Sequence, residues 1–304
     1  MMDKLALLIG SLIATGGFIG MVHIKELSIQ QTQTLNTSEF PSHSAEDVFN
    51  PVVFPILIGD TSALIEHSQS FRADQPTGLL LAQLASSFLG RPYKASSLDQ
   101  TNDEWLRLDL TSFDCFLFVE QLLALSQTKT AADFINRVRL LRYQNGNVDY
   151  CSRYHYFTHW AQNGVTRGWI QDLTPSLDKG ASRMIQLDFM SNHQNKYIPM
   201  KQKRNIDCIR SQESGSLTRQ NYLPLTSLSK NLNMLRTGDI FALTTRIRGL
   251  DVTHTGLIEI TPEGVNAIHA APRVGVIRSR DFLRYVSSIE DVVGVSLYRP
   301  LTVR

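Results

Sequence analysis

Residues 112–120 read SFDCFLFVE, and the reading of this stretch decides the fold. Cys115 stands where a polar turn meets an apolar run, Phe116 to Val119, continued by Leu122, Leu123 and Leu125. The pattern predicts a buried helix opening at Cys115, with Ser112 or Asp114 available as its N-cap. A thiol in that place faces unpaired backbone N–H groups and the positive end of the helix dipole, which favour the nucleophilic thiolate. The plain alternative is a small core residue, since free cysteine is among the most buried types.

Upstream, Leu79, Leu80, Leu81, Leu84 and Phe88 recur at helical spacing from Gly78, and LGRPY ends that helix at Gly90 and Pro92. Residues 26–75 read as a polar linker and N-terminal arm, rich in Ser, Thr and Gln, with a short apolar run at Val52 to Ile58 broken by Pro55. Residues 1–25 contain the uncharged run Leu5 to Val22, which suits a secretory signal or an N-terminal membrane anchor. Ala14 and Gly16 form a small-x-small cleavage pattern, so a cleaved signal is the preferred reading, with membrane association if the segment is retained.

Downstream, Ala131 to Leu141 predicts a further helix, followed by a segment dense in aromatic and polar groups, NVDYCSRYHYFTHWAQNGV. Residues 191–233 are polar and irregular and read as an insertion or a wrapping segment. From Leu235 the chain changes to short β-type runs: GDIFALTT, HTGLIEI, VNAIHAA and GVIRSR. Helical sequence first and closely spaced strands afterwards indicates an α+β fold with an antiparallel sheet.

The 304 residues are 42% hydrophobic and carry a formal charge of +2 without a basic block, which supports a sizeable core and argues against a nucleic-acid partner. Three cysteines are too few for a disulfide scaffold. If Cys151 and Cys208 pair, Cys115 is left free; whether they pair stays open at this level.

His254 opens HTGLIEI and His269 lies in VNAIHAA, with a TPEG turn between. On a hairpin of matching parity the two imidazoles share one face. One can take a thiol proton and return it to a leaving amine, while the other fixes its tautomer. A rival lies in Cys151, His155 and His159, spaced by four, which on one helix would make a zinc set.

From about Gly78 onward the chain resembles the NlpC/P60 superfamily of papain-like cysteine peptidases and amidases. The resemblance rests on GRPY (Gly90 to Tyr93), Asp114-Cys115, Gly238-Asp239-Ile240, His254-Thr255-Gly256 and His269. More narrowly it resembles the DUF1460 branch of N-acetylmuramoyl-L-alanine amidases, through DCFLFVE, SRYHYFTHW, LDVTHTGL, IHAAPRVGV and GVSLYRP. It departs from the pattern in the bulky Phe116, Leu117 and Phe118 and in the long spacing between Tyr93 and Cys115.

The resemblance implies a catalytic domain over 76–304, a papain-like α+β fold, no cofactor and no metal. It makes Cys115 the nucleophile, His254 the base and His269 its orienting residue. Tyr93 would join the Cys115 backbone N–H at the oxyanion. Asp114, Arg153, His155 and Tyr156 are the expected substrate contacts, Arg153 as a carboxylate clamp, with a surface salt bridge as its alternative. The implied substrate is a peptidoglycan-derived muropeptide, anhydro forms included, cut at its N-acetylmuramoyl–L-alanine amide by an exported, periplasmic monomer. A D-Glu/diamino-acid endopeptidase and a non-catalytic muropeptide-binding module are the alternatives.

Overall fold

The computed structural model describes residues 55–71, 75–215 and 217–302. The N-terminal apolar run and the polar stretch after it lie outside these. Strand β1 (Ile56–Ile58) and helices α1 (Thr61–Ser70) and α2 (Thr77–Ser87) lead to β2 (Arg107–Asp109), α3 (Cys115–Ser126), α4 (Ala131–Arg142) and α5 (Phe157–Thr166). Short strands β3 (Ile170–Asp172) and β4 (Ala181–Ile185) follow, then α6 (Phe189–Asn192), α7 (Lys203–Glu213), β5 (Thr218–Pro224) and α8 (Leu225–Asn231). The chain closes with β6 (Ile240–Thr245), β7 (Val252–Thr261), β8 (Gly264–Ala271), β9 (Gly275–Ser279), α9 (Phe282–Ser287) and β10 (Val292–Pro300).

Eight strands form one antiparallel sheet in the order β4-β5-β10-β6-β7-β8-β9, with β3 also paired to β10. The pleat sorts its residues by alternation. Ile240, Ala242, Leu257, Ile268 and Ala270 enter a core shared with α2, α3 and α4. Phe241, Leu243, Ile258 and Ala267 enter a second core with Phe282 and Val286 of α9. The expected helices and the four C-terminal strands are all present, so the fold is α+β with α3, which opens at Cys115, packed against the sheet.

Two segments differ from the sequence reading. The arm ends in structure: β1 pairs in parallel with β2, and Ile65 of α1 is buried in the first core. Residues 191–233, read as irregular, supply α7, α8 and a strand inside the main sheet. Their buried hydrophobic side chains are thinly spread, at Met200, Ile209, Leu223 and Leu228. Buried Gln220 is satisfied by the Asp251 carbonyl at 3.1 Å, so the strand carries no clean alternation for a pattern to detect.

The Gly238-Asp239 pair has a structural role. A Cβ on Gly238 would lie 1.9 Å from the Gly78 carbonyl oxygen, so the entry to β6 crosses the start of α2 backbone to backbone. Gly238 also has φ +87°, a left-handed value suited to glycine. Asp239 takes a two-pronged ion pair from Arg299 of β10, at 2.8 Å on each oxygen.

Candidate active site

The turn before Cys115 is built by one carboxylate. Asp109 accepts from Thr111 N (2.9 Å), Thr111 Oγ1 (2.6 Å), Ser112 N (3.2 Å) and Ser112 Oγ (3.0 Å). Burial alone would raise its pKa, but these four bonds outweigh it and hold the carboxyl below its usual value. Gln121 of α3 grips the Asp109 backbone on both sides, accepting from its N–H and donating to its carbonyl. Ser112 is thereby occupied, and Asp114 is the N-cap, accepting from Leu117 N at 2.7 Å. Cys115 is the first helical residue, half-buried and free.

The GRPY segment braces this turn from the other side. Tyr93 bridges Phe113, through Lys94 N to Phe113 O (2.9 Å) and Phe113 N to Pro92 O (3.1 Å). Gly90 and Arg91 exchange backbone bonds with Val276 of β9 at 2.8 Å. Tyr93, Asp114, Cys115 and His254 line one cavity of about 240 Å³.

His254 and His269 lie on neighbouring strands, His254 Nε2 being 2.8 Å from His269 Nδ1. His269 Nε2 in turn meets Ser279 Oγ at 2.8 Å, and the Tyr285 ring of α9 stacks on His269 with centroids 4.7 Å apart. Gly256 makes room for this: a Cβ there would sit 2.7 Å from His269 Cβ and 2.7 Å from the Phe241 ring. A Cβ there would also lie 2.8 Å from the Ile268 carbonyl oxygen, so Gly256→Ala is expected to displace His269 and to lower both turnover and melting temperature, which paired kinetic and calorimetric measurements would check.

The electrostatics run against the thiolate expected from the helix dipole. Burial, with the Asp114 carboxylate second, pushes the Cys115 thiol up to about 12, against hydrogen bonding from the Thr255, Phe116 and Cys115 backbones. Burial pushes His254 well below 6.5, helped by His269, and holds His269 at about 4. The resting pair is thus a neutral thiol and a neutral imidazole. The rate of Cys115 alkylation by iodoacetamide should keep rising between pH 7 and pH 10; a plateau reached below pH 7 would reveal a preformed ion pair.

The family model described as AmiA-like, N-acetylmuramoyl-L-alanine amidase-like, matches residues 83–294. The chain belongs to the AmiA-like family. Its fold is similar to that of an N-acetylmuramoyl-L-alanine amidase from Bacteroides uniformis, at 27% identity and a TM-score of 0.69, over 74% of this chain and 98% of that one. It is also similar to a Bacteroides fragilis protein given a provisional xylanase name, at 29% identity and a TM-score of 0.66, over 71% and 98% of the two chains. A Legionella pneumophila protein of the DUF1460 family shares the fold at 19% identity and a TM-score of 0.63, over 80% and 96%. Comparison with curated proteins gives no match.

In this AmiA-like chain the four expected substrate contacts all line the cavity, but their polar groups are engaged within the protein. Arg153 is buried and paired with Asp99 and, at 3.3 Å, with Glu104, so it is neither a free clamp nor a surface salt bridge. His155 Nε2 lies 2.7 Å from the Tyr150 carbonyl, and burial, aided by Arg153, holds its pKa at about 3. The Tyr156 hydroxyl donates to Glu213 and accepts from Met190 N at 3.1 Å. Asp114 is held by its capping bond, and burial raises its pKa to about 6.

The zinc reading is overturned by positive contacts. Cys151 forms a disulfide with Cys208 and has no thiolate to give. His155 lies in the extended stretch before α5, whereas His159 lies within it and meets Thr218 Oγ1 at 3.1 Å. Ser279, Tyr285 and Asp109 were not singled out from sequence. Ser279 lies in GVIRSR, read only as a strand, and nothing in its own neighbours marks it.

Proposed function

We propose that the protein is a cysteine-dependent amidase of the papain-like NlpC/P60 kind, which hydrolyses the N-acetylmuramoyl–L-alanine amide of peptidoglycan fragments. The observation that carries this reading is the placement of Cys115 and His254 in one cavity, with His254 Nε2 anchored on His269 at 2.8 Å, in a chain of amidase-like family.

The anchoring contact assigns the tautomers. For His254 to act as base through Nδ1, its Nε2–H must donate to His269 Nδ1; His269 then carries its proton on Nε2 and donates to Ser279 Oγ. His254 Nδ1 takes the Cys115 proton as the sulfur attacks the lactyl carbonyl. The oxyanion forms near the Cys115 N–H and the Tyr93 hydroxyl. His254 then protonates the leaving L-alanine amine, and water, deprotonated by the same imidazole, cleaves the thioester.

A glycoside hydrolase would use two carboxyl groups flanking its bond. In this cavity Asp114 caps α3, Asp251 accepts from Thr158 N at 2.7 Å and Val252 N at 2.8 Å, and Asp99 is paired with Arg153, so all three lining carboxylates are engaged within the protein. Export fits the N-terminal apolar run and the Cys151–Cys208 disulfide, which suits an oxidising compartment. Among the described residues no helix is long and apolar enough to cross a membrane.

Mass analysis of the products from a purified muramoyl-tripeptide tests the bond. Free tripeptide and the bare sugar acid are the expected products. A sugar that retains L-Ala-D-Glu would instead assign the D-Glu/diamino-acid endopeptidase.

A further inference from the structure

Strand β7 carries one irregularity. Leu243 pairs with His254 and Thr244 with Val252, which leaves Thr253 as an extra residue directly before the proposed base. Such bulges re-aim side chains and gather near active sites. Residues 250–255 all line the catalytic cavity, Thr253 and His254 among them.

The Thr253 hydroxyl is buried and has no protein partner. Among the described residues, seven side-chain polar atoms share that condition, and Thr253 alone of their residues lines this cavity. A buried hydroxyl without a partner is uncommon and calls for an explanation. Its neighbours offer none: Asp251 is engaged by Thr158 and Val252, and Thr255 Oγ1 donates to the Phe241 carbonyl at 2.6 Å. Arg153, His155 and Tyr156, the groups expected to read the substrate, are already bonded inside the protein.

We propose that Thr253 is a substrate-recognition residue, whose hydroxyl donates a hydrogen bond to the first peptide carbonyl on the leaving side of the scissile amide. The side follows from its neighbour, since His254 delivers its proton to the leaving amine and the residue before it in the strand lies beside that departing chain. This assignment rests on the amidase reading. It accounts for the bulge: without the extra residue, regular alternation would turn Thr253 to the face opposite His254.

The test compares wild type, Thr253→Val and Thr253→Ser. Valine keeps the shape and removes the hydroxyl, so the free variant should melt no lower than wild type, because no internal bond is lost. With a muramoyl-L-Ala-D-Glu substrate, kcat/KM should fall about tenfold in Thr253→Val, the size of one lost hydrogen bond, and largely recover in Thr253→Ser. With muramic acid ethylamide, which lacks the carbonyl, wild type and Thr253→Val should be equal. A clear drop in melting temperature for Thr253→Val, or equal losses on both substrates, would overturn the proposal. If wild type cleaves neither substrate, the amidase reading falls; the melting comparison still decides whether the hydroxyl is internally unbonded.

Discussion

Replacing His254 with alanine is expected to lower turnover by about 10²- to 10⁴-fold, the range for losing a positioned general base. The loss should be large because the resting thiol is not ionised: burial and Asp114 push Cys115 up to about 12, so attack requires proton removal within the site. An enzyme holding a standing thiolate would depend on its histidine less. His269→Ala should cost less than His254→Ala, since it removes the anchor at 2.8 Å and leaves the base in place. His269→Asn should recover part of the loss, because an amide oxygen can also accept from His254 Nε2. Steady-state kinetics of the three variants checks the order; equal activity for His254→Ala and wild type would remove His254 from the mechanism.

Arg142→Ala is expected to destabilise the fold by about 3–5 kcal/mol, the usual cost of stranding a buried charge. Glu120, five residues after Cys115, and Arg142 at the end of α4 are both fully buried and bonded at 3.0 Å through Arg142 Nε. Arg142 Nη1 also donates to the Arg107 carbonyl at 2.6 Å, so one side chain joins α3, α4 and β2 around the turn before Cys115. Removing it leaves the Glu120 carboxylate in the core without its bonded cation. The double variant Glu120→Met with Arg142→Leu should recover much of the stability, because an apolar pair of similar volume avoids the desolvation of both ions. Denaturant melts of single and double variants measure this. A double variant no more stable than Arg142→Ala would show that the Arg107 contact, and not charge burial, dominates.

How far the sequence could be read depended on how local each signal was. The α3 start, the α2 helix and the β6 to β9 strands were legible because caps, glycines and alternation lie within a few residues of each other. The pairing of His254 with His269 was legible for the same reason, a hairpin with a short turn. The strand β5 was not, since it places buried Gln220 beside Leu223 and relies on the distant Asp251 carbonyl for satisfaction. The ion pairing of Arg153 was not legible, because its partners Asp99 and Glu104 lie some fifty residues upstream and a lone arginine in sequence shows charge without its neutralisation. At Cys115 the helix dipole was visible in sequence, while the burial that opposes it and pushes the thiol up depends on the folded cavity. Thr253 was invisible for a related reason, since a bulge is a property of two strands together.

The most direct test of the account is mass spectrometry of a muramoyl-tripeptide incubated with wild type and with Cys115→Ala, each with and without a metal chelator, with the intact protein weighed in parallel. The account predicts free tripeptide from wild type only, no effect of the chelator, and a wild-type species heavier by one muramoyl acyl group during turnover. Cleavage by Cys115→Ala, or loss of wild-type cleavage on chelation, would contradict it.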